Sequence, residues 1–250
     1  IITAASGRAL TSTTSGSTTT YNVVPGSAIG VDIAAGADLA AIHVNKGASI
    51  VANSSGSTNP ATIAIRDQSD TLVSITNNNV ISATVASTDD NADGTNETIV
   101  NPGIAIDTRT NTHGLTLVQT DIAPADNATD NAIAPPHIYG AILLGSGDDS
   151  ISATGGEIVG NVDFGGGALN SFTLAGKASY LGKMTGSGSV ALNLSEGTAV
   201  LLNGSHLNVT TLQVGANSTL ALTLDTAAPT VPVLVGSGAA TFANGAKLLL

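Results

Sequence analysis

The 250-residue chain has no cysteine and no tryptophan, and aromatics make up only 2% of it. Without cysteine no disulfide framework can staple the fold, and the composition suits a chain that crosses a secretion pore unfolded. The near absence of aromatics leaves Val, Ile, Leu and Ala to build the core, which favours a narrow, repetitive interior. Charge is also scarce: 10% of residues are Asp, Glu, Lys or Arg, against roughly 25% in an average soluble domain. What charge there is sums to −11, with no Lys/Arg cluster, which excludes nucleic acid and anionic lipid as partners. No apolar run approaches the ~18 residues of a membrane helix, so this stretch is not expected to insert in a membrane directly. No signal peptide opens the chain at Ile1-Ile2-Thr3, and Lys247-Leu248-Leu249-Leu250 is strand-like; both ends read as cut from a longer protein.

Glycine stands at 29, and Gly, Thr, Ser, Asn and Val are poor helix formers. Short apolar alternations take the place of helical periodicity. Examples are Ile29/Val31/Ile33, Ile63/Ile65, Leu115/Leu117, Phe172/Leu174, Val190/Leu192/Leu194, Leu220/Leu222/Leu224 and Val231/Val233/Val235. Period two over three to five residues predicts short strands with one buried face. Glycine turns space these strands. Gly145, Gly165 and Gly186 begin similar turns 20 and then 21 residues apart, and Gly215 and Gly236 are again 21 apart. A fixed step near 20 with strand-turn-strand content predicts an all-β solenoid, a right-handed parallel β-helix of roughly ten coils.

Three zones are expected. Residues 1–22 are polar and low in complexity, a ragged segment or partial first coil. Residues 23–140 carry irregular coils with polar insertions at 87–98 and 123–137, and residues 141–250 carry regular coils. Asn77-Asn78-Asn79, Asn203-Gly204 and Asn244-Gly245 fit tight turns with positive φ, and Pro135-Pro136 fits a loop.

The stretch Ala141–Leu224 resembles the C-terminal part of autotransporter passenger domains. The resemblance rests on Leu144-Gly-Ser-Gly-Asp-Asp-Ser-Ile-Ser152, on Gly160-Asn-Val-Asp-Phe-Gly-Gly-Gly167 followed by Asn170-Ser-Phe-Thr-Leu174, and on Leu207-Asn-Val-Thr-Thr-Leu-Gln-Val-Gly-Ala-Asn-Ser-Thr-Leu-Ala-Leu222. It implies a non-enzymatic, structural or adhesive passenger. Such a rod stands outside a Gram-negative cell, attached to the outer membrane by a C-terminal β-barrel translocator. It would present loops to a host or surface ligand, or associate with its own copies. The last coils, about 180–250, would act as a folding nucleus.

The residues offer one metal candidate. Asp89, Asn91, Asp93, Thr95 and Glu97 follow the odd-position spacing of a calcium loop, with Gly94 at the sharp turn. Val100 stands where such a loop carries its bidentate glutamate, so the segment also reads as a plain polar insertion. Gly145–Ile151 resembles a single calcium-binding nonapeptide, with Leu144 in place of its first glycine; its other reading is a coil corner. No cofactor other than Ca²⁺ is suggested. Of the 18 carboxylates ten lie between Asp89 and Asp149, where Arg109 is the only base, an arrangement that reads as a solvated acidic face or as cation binding.

Catalytic motifs of the G-x-S-x-G, H-E-x-x-H and phosphate-loop types are missing, and the expectation is no enzyme activity. His113 beside Asp107 and Arg109 is the one local polar cluster, read as turn chemistry in preference to a triad remnant. The alternative from another class is a polysaccharide-active β-helix in which Asp107, Arg109 and Asp121 meet on adjacent coils. A calcium-stabilised secreted repeat module is the third reading.

Overall fold

A computed structural model describes residues 1–7, 9–15, 18–24, 26–56, 61–100, 102–122, 134–195, 197–203, 206–223, 233–236 and 238–250. Those residues are all-β and form a parallel β-helix of three sheets. The first and third sheets have nine strands each and the second has six. Six successive coils visit the second sheet, then the third, then the first, whereas the described strands from His206 onward alternate between the third and the first. Thus Ala141–Leu143, Ser150–Ala153 and Glu157–Val159 make one coil, and Val162–Asp163, Asn170–Leu174 and Ser179–Gly182 make the next.

Equivalent residues superpose from coil to coil. In the first sheet Ile50, Ile81, Ile138, Ile158, Tyr180, Val200 and Leu220 are in register, and all are buried. In the third, Ile75, Leu117, Ile151, Phe172 and Leu192 form a second buried column. In the second, Ile65, Ile106, Ile142, Val162 and Met184 form the third. No strand this short buries much by itself. The neighbouring coil about 4.8 Å away covers it and takes up its backbone hydrogen bonds, so stability resides in the column. The alternation seen in the sequence sets which residues enter it: Ser189–Leu194 buries Val190, Leu192 and Leu194 and turns Ser189, Ala191 and Asn193 outward. Phe164, Phe172 and Tyr180 fill one coil's cross-section edge to face, with centroids 6.4 and 5.2 Å apart.

Coil length is not uniform. From Ile138 to Leu220 successive rungs of the first sheet come every 20 to 22 residues. Toward the N-terminus the same ladder runs Ile2, Ile50, Ile81, Ile138, so those coils carry far more chain between rungs. The N-terminal segment, expected as ragged or as a partial first coil, contributes two kinds of element. Ile2–Ala5 is the outermost rung, pairing with Ile50–Asn53, whereas Ala9–Ser15 and Thr18–Val24 pair antiparallel as a hairpin.

The glycine turns have a steric origin. A Cβ on Gly165 would lie 1.8 Å from the carbonyl oxygen of Gly145, and one on Gly188 would lie 1.7 Å from that of Gly167. At this corner the backbones of successive coils pack directly on each other, and only glycine fits. A second stack, Gly140, Gly160 and Gly182, lines another corner for the same reason.

The asparagine run behaves differently from the sequence expectation. Asn77 ends the strand Ser74–Asn77 and is fully buried, and none of Asn77, Asn78 and Asn79 has a positive φ. Positive φ falls instead on Asp70, Ala92 and Asn217, and on Gly245 of the Asn244-Gly245 pair. Asn203 ends a strand; Gly204, Leu224, Val231 and residues 123–133 of the second insertion lie outside the described residues. Pro135 and Pro136 sit in the loop just before the strand His137–Tyr139.

Candidate functional site

The first insertion leaves the first sheet after Val80–Ala86 and returns to the second at Ile104–Asp107. Asn, Asp and Gly disfavour both strand and helix, and here they close local side-chain-to-backbone hydrogen bonds instead. Asp89 accepts the N–H groups of Asp93 at 3.2 Å and Gly94 at 2.8 Å. Asn91 accepts the N–H of Asp93 at 2.9 Å, and Asp93 accepts the N–H of Thr95 at 2.8 Å and its hydroxyl at 2.5 Å. The bonds from Thr95 and Asn91 hold the Asp93 carboxyl below its ordinary range. Glu97 reaches back to accept the N–H of Asp90, leaving its Oε1 shielded from water without a hydrogen-bond partner among the described residues.

Carboxylate oxygens of Asp89, Asp93 and Glu97 lie within 4.8 Å of one another. The structure therefore brings together the three acids that the loop spacing singled out. Three oxygen donors around a sharp turn at Gly94 (φ 91°) suit a hard divalent cation in chemical type. Asn91 Nδ2 and the Thr95 hydroxyl both donate to the Asp93 carboxylate.

The nonapeptide-like segment resolves differently. Asp149 is buried at 2% exposure, and its Oδ1 accepts the N–H of Leu115 at 2.7 Å. Asp148 accepts the N–H of Leu169 at 2.9 Å. Each acid is thus bonded to a neighbouring coil, and the segment forms the corner of a coil.

Of the three residues expected to meet in a glycan-cleaving site, two do. The Arg109 guanidinium grips Asp107 through two bonds of 2.8 and 2.7 Å. Both line a groove along the second sheet, whereas Asp121 lines a separate cavity with His137, Tyr139 and Glu157. The three do not converge, because Asp107 ends a strand of the second sheet and Asp121 follows one of the third. His113 likewise faces Asp70 of the preceding coil at 3.8 Å and not Asp107.

The sequence reading missed the groove. Its signal was present: Arg66 and Asp107 hold the same register on adjacent coils, as do Asp32 and Arg66. These pairs stand 41 and 34 residues apart, an uneven spacing that hides the shared register. It also missed the polar pair in the core. Asn77 and Gln119 stack in register, and the Asn77 amide donates to Gln119 Oε1 at 3.0 Å.

No family model, no curated protein and no solved structure matches the chain.

Proposed function

We propose that the chain is a rod-forming, non-enzymatic part of the exported passenger region of a bacterial autotransporter, standing at the cell surface and presenting loops for adhesion or self-association. The observation that carries this reading is the nine-rung ladder from Ile2–Ala5 to Lys247–Leu249 in one sheet. At about 4.8 Å per rung it spans about 38 Å along the axis. A stiff stack of this kind transmits position and needs no cofactor to do so. The resemblance of Ala141–Leu224 to passenger coils and the lack of cysteine support export. The insertion at 87–98 projects polar side chains from a rigid frame, the usual place for recognition.

The test places the chain between a secretion signal and a translocator barrel. Antibody labelling of intact cells is expected to find it outside, protease-resistant, with displaying cells clumping or adhering more than cells bearing the barrel alone. Retention in the periplasm, or display with no gain in adhesion, counts against the reading. A calcium-stabilised module is a second reading, favoured by the Asp89, Asp93 and Glu97 cluster. A catalytic role on glycans draws less support, since Asp121 stands apart from Asp107 and Arg109.

A further inference from the structure

The groove over the second sheet has a volume of about 910 Å³ and crosses five successive coils, from Thr62–Asp67 to Met184–Thr185. At about 4.8 Å per coil its polar groups repeat along roughly 19 Å of the axis. A ligand that fills it is long, narrow and aligned with the rod.

The groove is chemically unlike the rest of the surface. Of seven Lys and Arg residues in a chain of net charge −11, Arg66, Arg109 and Lys183 all line it. Two of these cations are already matched. Arg66 binds Asp32 through bonds of 2.9 and 2.7 Å, and Arg109 binds Asp107. Gln68 also donates to Asp32 at 2.9 Å, which holds the first pair in place. Asp67 and Asp163 lie in the same lining. Charge is therefore balanced or slightly negative along the groove, and a polyanion gains nothing by entering. What remains is a set of oriented hydrogen-bonding groups. A guanidinium that spends one fork on a carboxylate keeps further N–H donors for a ligand. Arg109 is well placed for this, with its side chain 61% exposed.

Peptide is a poor match. Strands capture extended peptides through free backbone edges, and the inner strands of this sheet are paired on both sides. Between the polar groups lie Ile104 and Leu143, half-buried apolar side chains that offer C–H contacts to a ring. Polar rows in fixed pairs, alternating with apolar floor and repeating along one axis, match a chain of neutral hydroxyl-rich rings.

We infer that the groove over the second sheet is a non-catalytic binding site for a linear, neutral oligosaccharide, held by the paired Arg66 and Arg109 and by Lys183. This goes beyond the rod reading and does not rest on it, because a groove on an isolated rod binds sugar whether or not the rod is displayed on a cell.

The experiment probes the whole 250-residue chain on an array of linear neutral and acidic oligosaccharides. Calorimetry then follows with cellohexaose, xylohexaose, maltohexaose and hexagalacturonate. Binding to a neutral hexasaccharide is expected, nearly independent of salt and weakened about tenfold or more by Arg109→Ala, on the scale of a lost charged hydrogen bond. Lys183→Ala is expected to act the same way and reads the site independently should Arg109→Ala fail to fold. Lys46→Ala, outside the groove, is expected to leave affinity unchanged. The proposal is overturned by no neutral-sugar binding at millimolar ligand. It is equally overturned by binding confined to hexagalacturonate and lost in salt, or by neutral binding that neither groove substitution weakens. Failure of surface display with sugar binding intact would sink the rod reading alone.

Discussion

Asp149 Oδ1 accepts the backbone N–H of Leu115 from the adjacent coil at 2.7 Å, and Asn170 repeats the contact one coil on by accepting the N–H of Asp149 at 2.8 Å. A carboxylate and an amide therefore play one role in successive coils. Asn170 completes it, because its Nδ2 donates to the carbonyl of Gly167 at 2.7 Å. Asp149 does not: its Oδ2 is buried without a hydrogen-bond partner among the described residues.

That difference makes stability depend on pH. Burial pushes the Asp149 carboxyl up to about 6; the Leu115 N–H opposes the shift and Asp148 adds to it. An unfolded aspartate titrates near 3.9, so between about 4 and 6 the native state holds more protons than the unfolded chain. The contribution is fully present below the lower value and is lost as pH rises through the upper one. Asp149→Asn is expected to raise stability at neutral pH by on the order of 2 kcal/mol and to flatten this part of the profile. Urea melts of both proteins across that range check it; parallel profiles would refute it.

Glycine-to-alanine exchange should split the corner residues into two classes. A Cβ at Gly188 would sit 1.7 Å from the Gly167 carbonyl oxygen, but one at Gly166 meets nothing nearer than 3.6 Å. Gly188→Ala is expected to cost about 2–4 kcal/mol, since backbone must move on two coils, and Gly166→Ala less than about 1 kcal/mol. Thermal denaturation followed by far-UV circular dichroism measures both.

The buried amide pair predicts non-additivity. Gln119 donates to the carbonyls of Gly155 and Glu157 at 3.1 and 3.2 Å while accepting from Asn77. Gln119→Leu strands those partners and is expected to cost about 2–3 kcal/mol. Adding Asn77→Val removes one orphan, so the double variant should be more stable than the sum of the two losses implies, by about 1 kcal/mol. A double-mutant cycle reads the coupling directly.

Calcium at millimolar concentration is expected to raise the melting temperature through the 89–97 loop, by mass action on the native state alone. Asp93→Asn and Glu97→Gln should each abolish the rise. Calorimetry of the parent chain that records no heat with Ca²⁺ removes the idea.

If the last coils nucleate folding, deletion of 207–250 lowers refolding yield from urea far more than deletion of 23–66. Equal yields would argue against a nucleus there.

The regular coils were legible because their signals are local and repeat. Val190, Leu192 and Leu194 declare a strand by alternation, and Gly145, Gly165 and Gly186 declare the pitch because their close approach permits no side chain. The early coils hid their period in corners of unequal length, so Ile50, Ile81 and Ile138 share a column that no fixed step reveals. The antiparallel pair Ala9–Ser15 and Thr18–Val24 was illegible for a different reason: its Thr and Ser suit a strand but carry no alternation to show what it pairs with. Asn77 misled because three asparagines in a row resemble a turn, whereas their amides bond across coils, to Gln119 from Asn77 and to the Thr120 carbonyl from Asn78. Of the candidate site, the acid cluster was legible from spacing within one loop. The groove was not, since its members come from five coils.

Unequal corners on an even ladder separate two quantities that compact folds tie together. The rise per turn is dictated by backbone pairing, but the perimeter is not, and residues added at a corner leave the rungs above and below where they were. A lineage can therefore lengthen a tip, graft a hairpin or recolour one side of the shaft without renegotiating the interior, and novelty arrives as ornament while the thread keeps its pitch.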